Sequence, residues 1–134
     1  MKVFARILSI ILIVLMLTLT LASCARVPEG EYIRGNKVLE GYYEGFTFDG
    51  KNFSFEVYRG YQREEALCYS GTYKLKKDKE KSDKENGITA GIITLTYVDA
   101  AGNEVVVEKE YYREETEKND FIKIGDLFYY LELS

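Results

Sequence analysis

The stretch YYEGFTFDGKNFSFEVY, residues 42–58, decides the fold. Apolar and polar side chains alternate along both of its halves, and the turn dipeptide Asp49-Gly50 separates them. Two alternating runs around an Asp-Gly turn predict a β-hairpin with the aromatic side of each strand on one core. The apolar positions of the alternation are Tyr42, Phe46, Phe48, Phe53, Phe55 and Val57.

Further short alternating segments follow toward both ends of the chain. Gly71 interrupts one of them and predicts a bulge or a bend, while the dipeptide Gly125-Asp126 predicts a last hairpin. After residue 24 no segment shows the three-and-four spacing of a helix. An all-β antiparallel meander of about seven or eight strands is therefore expected, closed into a small barrel or a sandwich. The predicted strands are 31–33, 42–49, 52–58, 63–75, 88–98, 104–114, 121–124 and 127–133.

Residues 76–87 contain five lysines and four acidic residues and no apolar side chain. Such a segment cannot bury itself, so we expect a mobile loop or an extended hairpin tip. A contact patch for a partner is the functional alternative.

The N-terminus has the order of a secretory signal. Lys2 and Arg6 precede an apolar run over residues 7–21, and the small residues Ala22 and Ser23 follow. The run is shorter than the ~20 residues that span a bilayer comfortably. We therefore predict a helical signal peptide over residues 1–23 rather than a permanent transmembrane helix.

The four residues Leu21-Ala22-Ser23-Cys24 resemble the lipobox of bacterial lipoproteins. The resemblance implies cleavage between Ser23 and Cys24 and a diacylglyceryl group on the Cys24 thiol, so that membrane lipid is a partner. Two acyl chains anchor a protein stably, whereas one does so marginally. The expected organisation is a signal peptide (1–23), a lipidated Cys24 with a short tether (24–30) and a β domain (31–134), held at the extracytoplasmic face of a membrane.

Charge and composition limit the chemistry. Without Lys2 and Arg6 the chain has 16 basic and 22 acidic residues, a net charge of about −6, which argues against nucleic acid and against anionic lipid heads as partners. No histidine is present, and Cys68, in an apolar context, is expected to be a small buried residue. Paired carboxylates such as Glu114-Glu115 are interpreted as solvated strand faces. We therefore expect no enzyme activity, no metal and no cofactor.

Residues 71–75, 93–97 and 124–129 resemble the repeated hairpins of small lipocalin-like lipoproteins. The resemblance implies a small barrel. An eight-stranded barrel has an interior that side chains fill or that holds one small ligand.

The 12 tyrosines all follow Cys24. Adjacent aromatic residues in a strand point to opposite faces, so some of these rings must lie outside a simple barrel core. Because tyrosine is enriched at interfaces, we predict a non-enzymatic binding module for a protein partner in the cell envelope. Capture of a small molecule inside the barrel is the alternative. The candidate binding residues, one from each aromatic cluster, are Tyr43, Tyr112 and Tyr130.

Overall fold

A computed structural model of the protein describes residues 24–38 and 41–132. The signal peptide predicted for residues 1–23, and with it the cleavage before Cys24, lies outside these residues and stays a prediction. In the two described ranges, no helix has the length and apolar character needed to cross a membrane.

Strands dominate the described residues, and a single 3-10 turn, Glu65–Leu67, is their helical element. The strands are β1 (Cys24–Ala25), β2 (Gly30–Asn36), β3 (Tyr42–Asp49), β4 (Asn52–Arg59), β5 (Gln62–Arg63), β6 (Tyr69–Lys77), β7 (Ile88–Val98), β8 (Glu104–Glu115), β9 (Asp120–Ile124) and β10 (Leu127–Leu131).

Eight of these strands close into an antiparallel barrel. The ring runs β2-β3-β4-β6-β7-β8-β9-β10 and returns to β2. One pairing between strands distant in sequence closes it, with Tyr130 on β10 opposite Ile33 on β2. Phe53 on β4 lies opposite Gly71 on β6, which joins the two strands on either side of β5. The short strands β1 and β5 add to β6 and β4. The predicted meander is confirmed, and closure decides for a barrel over a sandwich because it leaves the eight strands in one ring.

The hairpin at residues 42–58 is confirmed in detail. Asp49 pairs with Asn52 across the turn, and Phe46 and Phe48 lie opposite Phe55 and Phe53. Gly50 has φ of 60°, a conformation that glycine adopts without a steric penalty. The local turn signal and the period of two therefore agree with the observed register.

Aromatic rings fill the centre of the barrel. The ring of Phe46 lies 5.8 Å from that of Phe48, 4.8 Å from Phe55 and 5.1 Å from Tyr129, between centroids. Such contacts between inward side chains of different strands supply most of the apolar burial that stabilises a barrel. The core cluster consists of Val27, Tyr32, Phe46, Phe48, Phe53, Tyr73, Leu75, Ile93, Leu95, Tyr111, Ile122, Ile124 and Tyr129.

Residues 24–30, the predicted tether, pack against the barrel. The Val27 side chain is buried, and its backbone N–H donates to the Tyr73 hydroxyl at 3.1 Å. The Tyr32 hydroxyl donates to the Pro28 carbonyl at 3.0 Å. Cys24 lies opposite Lys76 on β6. The backbone at Cys24, where attachment is predicted, therefore pairs directly with β6.

The prediction of one strand over residues 63–75 is wrong in its first part, because residues 65–67 form the 3-10 turn and β6 begins at Tyr69. Gly60 and Tyr61 both have positive φ, 57° and 66°, so the chain reverses directly after β4 and forms β5 against it. It then crosses to the β6 position through the 3-10 turn, whose side chains are exposed.

Cys68 is half-buried rather than buried in the core. Its thiol accepts a hydrogen bond from the Val57 N–H at 3.4 Å and donates one to the Glu64 carbonyl at 3.3 Å. The residue therefore connects the 3-10 turn to β4 instead of filling space among the aromatic rings.

Candidate functional site

Four aromatic side chains form a continuous patch on the outside of the barrel. The ring of Phe121 lies 6.1 Å from that of Tyr112, 5.6 Å from Phe128 and 5.8 Å from Tyr130. Phe128 is 43% exposed and Tyr130 is 56% exposed. These four residues, here called the outer aromatic patch, come from the consecutive strands β8, β9 and β10. The patch is the most concentrated set of outward aromatic side chains on the described surface.

Register and pleat explain why the patch forms. The Gly125-Asp126 turn places Ile124 opposite Leu127 and therefore Phe121 opposite Tyr130. On β8, Tyr111 points into the core and is buried, so its neighbour Tyr112 points outward. Cross-strand pairs on one face lie about 5 Å apart, close enough for rings to touch.

The structure brings two of the three predicted binding residues together. Tyr112 and Tyr130 both belong to the outer aromatic patch, whereas Tyr43 lies on β3, two strands beyond β10 in the ring. The Tyr43 ring stacks on Tyr58 with centroids 4.7 Å apart, and the Lys37 ammonium lies 4.9 Å from its centroid. Tyr43 therefore belongs to a separate outward cluster.

Sequence reasoning missed Phe121 and Phe128. Both could have been found from the predicted final hairpin, because a two-residue turn at Gly125-Asp126 implies the observed pairing of Phe121 with Tyr130. Alternation then puts Phe128 and Tyr130 on one face. What the sequence does not contain is the pairing of this hairpin with β8, which adds Tyr112.

An open groove of about 760 Å³ runs along the outer wall beside the patch. Ile92 and Tyr112 lie on its floor between the segment 76–81 on one side and Lys123 with Phe128 on the other. The Lys123 ammonium lies 5.4 Å from the centroid of the Phe128 ring. We call the four lysines of the first side, Lys76, Lys77, Lys79 and Lys81, the lysine face.

Hydrogen bonds hold the start of the charged segment against β7. The Asp78 N–H donates to the Ala90 carbonyl at 2.8 Å, and the Ser82 hydroxyl donates to the Asp78 carbonyl at 2.7 Å. The Ala90 N–H in turn donates to the Ser82 hydroxyl at 2.9 Å. The predicted loop is thus folded back on the outside of the barrel, where it forms one side of the groove.

The charges inside the barrel end are compensated. Arg113, 8% exposed, donates to Glu115 Oε2 at 2.8 Å and to Asp120 Oδ1 at 3.1 Å. Two carboxylates thus neutralise the guanidinium and join β8 to β9. In the described ranges no group of three potential metal ligands converges.

Burial makes the tyrosines a source of alkaline sensitivity. It raises the pKa of Tyr69 to about 12, with a further contribution from the neighbouring Tyr97, and it also raises the pKa of Tyr111 and Tyr129. An unfolded tyrosine titrates near pH 10. Because the unfolded chain loses these protons first, the stability they support is complete below about pH 10 and is lost as the pH rises through the folded-state values.

We therefore expect the free energy of unfolding in urea to fall steadily above about pH 10. A Tyr69→Phe variant should show a shallower fall, and Tyr61→Phe, whose ring is 66% exposed, should keep the slope of the parent. Equal slopes for Tyr69→Phe and the parent would contradict the assignment.

No protein-family model matches the chain, and comparisons with curated proteins and with solved structures reveal no significant similarity. The features of the molecule that suggest a function are on the outer wall: an aromatic patch, a groove and a lysine face beside Cys24.

Proposed function

We propose that the chain is a lipid-anchored, extracytoplasmic binding module, and that the outer aromatic patch docks a protein partner in the cell envelope. The lipobox-like residues ending at Cys24 support the lipid-anchored, extracytoplasmic location. The small eight-stranded barrel suits a lipocalin-like lipoprotein. The observation that carries the binding role is the concentration of four outward aromatic rings on three adjacent strands.

An exposed aromatic patch of this kind supports recognition of another protein. Contiguous apolar patches on soluble domains commonly mark interaction sites, and tyrosine is enriched among residues that dominate binding energy. Tyr130 and Phe128 keep about half of their surface exposed although the barrel has a full aromatic core. Their exposure is therefore not explained by packing within the barrel.

The interior supports small-molecule capture less well. Aromatic and aliphatic side chains of all eight ring strands meet in one core cluster, and Tyr32, Ile93 and Ile122 have no measurable exposure. A ligand inside would have to displace these rings, whereas the outer wall is accessible without rearrangement.

The attachment at Cys24 restricts where the partner can be. Cys24 and Ala25 pair with Lys76 and Leu75, so an acylated Cys24 would hold the barrel wall directly at the bilayer. The partner we propose is a membrane-proximal envelope protein that presents apolar side chains within about one barrel diameter of the lipid surface.

Site-specific photo-crosslinking in cells tests this proposal. A photoreactive residue at position 128 or 130 should give an adduct with one protein, identified by mass spectrometry, and the same residue at Val106 should not. Val106 is a matched control because it is 58% exposed but lies on β8 beyond the end of β9. A Phe128→Ala/Tyr130→Ala variant should bind the identified partner about 10- to 100-fold more weakly.

Three outcomes would count against the proposal. They are adducts that form equally at Val106, no adduct at all, or a variant that binds as tightly as the parent. An adduct of twice the chain's own mass would show that the patch binds a second copy of the chain and not an envelope protein.

A further inference from the structure

The charge of the domain is unevenly distributed. The chain is acidic overall, yet residues 76–81 contain four lysines and two acidic residues. The carboxylate of Asp78 is engaged locally, since its Oδ1 accepts the backbone N–H of Glu80 at 3.0 Å and of Lys81 at 3.4 Å. The net negative charge of the whole protein therefore does not describe this segment, which has more lysines than acidic residues.

The lysine face is available for an external anion. Within residues 24–38 and 41–132, salt bridges involve Lys37, Arg63 and Arg113 and none of the four lysines of the face. Lys76, Lys77, Lys79 and Lys81 are all exposed. Three acidic residues, Asp78, Glu80 and Glu110, also line the groove, and in the described ranges none of them forms an ion pair with a lysine of the face.

The face lies beside the predicted anchor. Cys24 is opposite Lys76, and Lys76 borders the groove. Across the groove, Lys123 adds a fifth lysine, and the floor between them carries Ile92, Tyr112 and the carboxylate of Glu110, so that five lysines and three acidic residues line the groove. Cations around an aromatic and aliphatic floor match a phosphate headgroup above its glycerol backbone.

We propose that the lysine face and its groove bind the headgroups of an anionic phospholipid bilayer. The orientation rests on the function proposed above, because acylated Cys24 would bring this side of the barrel to the lipid. Binding at the face would set the rotation of the barrel on the membrane. Phe128, on the side of the groove away from the lysine face, would then lie at the edge of the lipid contact, and Phe128 and Tyr130 would remain accessible to a protein partner.

Vesicle sedimentation with an unacylated chain tests the face independently of the anchor. The barrel and its core lie within residues 24–132, so residues 24–134 with Cys24→Ala form a complete folding unit. We expect this chain to bind vesicles of phosphatidylglycerol and phosphatidylcholine, to release them in high salt, and to ignore vesicles of phosphatidylcholine alone.

Charge-matched variants separate the face from net charge. A Lys77→Gln/Lys79→Gln/Lys81→Gln variant should bind anionic vesicles about 100-fold more weakly, since each lysine near such a surface contributes about fivefold. A variant with Arg34→Gln, Arg59→Gln and Arg63→Gln removes the same charge from exposed positions on β2, β4 and β5, none of which borders the groove. This control should bind nearly as the parent does.

A fluorescent reporter locates the contact. The chain contains no tryptophan, so Tyr112→Trp introduces a single probe in the groove, and its emission should shift to the blue when anionic vesicles are added. The same probe introduced by Val106→Trp, on the projecting part of β8, should not shift.

The proposal is overturned if the parent does not bind anionic vesicles, if both charge variants lose binding equally, or if neutral vesicles bind as well. Displacement from the vesicles by soluble polyglutamate at matched charge would assign the face to an acidic protein instead. Vesicle binding without palmitate uptake in cells would contradict the lipid anchor and support lipid binding by the lysine face. Palmitate uptake without vesicle binding would support the anchor and contradict lipid binding by the face.

Discussion

Replacing Phe46 with alanine is expected to lower the free energy of unfolding by about 3–5 kcal/mol. Phe46 is 4% exposed, and its ring contacts rings from β3, β4 and β10. Truncation removes the apolar burial of the ring and leaves a cavity that the closed barrel cannot collapse, because strands in a ring cannot shift singly. A domain of this size has roughly 5–15 kcal/mol of stability in total.

Urea unfolding followed by circular dichroism measures this change. Phe128→Ala provides the control, since the same atoms are removed from a ring that is 43% exposed on the outer wall. Its cost should stay below about 1 kcal/mol. Similar losses in the free energy of unfolding for the two variants would mean that Phe46 does not lie in the aromatic core of the barrel.

Replacing Cys24 with alanine is expected to abolish acylation completely. With labelled palmitate in the growth medium, the parent chain should carry label in the membrane fraction and the Cys24→Ala chain should carry none. The reason is chemical, because only a thiol at this position can receive the diacylglyceryl group that the lipobox resemblance implies. Loss of two acyl chains removes most of the membrane affinity, at about 0.8 kcal/mol for each buried methylene.

Cys68→Ala is the matched control, because Cys68 is the other cysteine of the chain. It should retain the full label. An unlabelled parent, or a Cys24→Ala chain that resists extraction by salt as firmly as the parent, would contradict the anchor. Residual binding that salt does remove is expected from the lysine face.

Local sequence rules were sufficient for the two tight hairpins. The turns at Asp49-Gly50 and Gly125-Asp126 lie where predicted, with the expected strand register. Both depend on contacts between residues fewer than 20 positions apart, so turn chemistry and alternation contain the necessary information.

Two predictions, for the strand that includes residues 65–67 and for the tether over residues 24–30, differ in part from the structure. Residues 65–67 are part of the predicted strand 63–75, but they form the 3-10 turn through which the chain crosses from β5 to β6. Residues 24–30 were expected to be a tether, yet Val27 is buried under the hydroxyl of Tyr73. At Val27 the contact is with Tyr73, 46 positions away, whereas the 3-10 turn is held by contacts of Glu64 and Cys68 with Val57 on the nearby strand β4.

The candidate site likewise depends in part on local sequence and in part on contacts between strands. The outward direction of Tyr112 and Tyr130 follows from alternation, which each strand specifies alone. Their convergence with Phe121 requires β8 to pair with β9, and the lysine face requires Asp78 and Ser82 to bond to Ala90.

The amino-acid sequence by itself determined the strand content, the two hairpin turns and the aromatic alternation, because these arise from steric and polar preferences within a few residues. That the meander closes, through the β10–β2 pairing, depends on the tertiary structure. It also decided that Cys24 lies beside the lysines of β6. Closure and convergence join residues far apart in the chain, and their free energy is realised only when the whole barrel has formed.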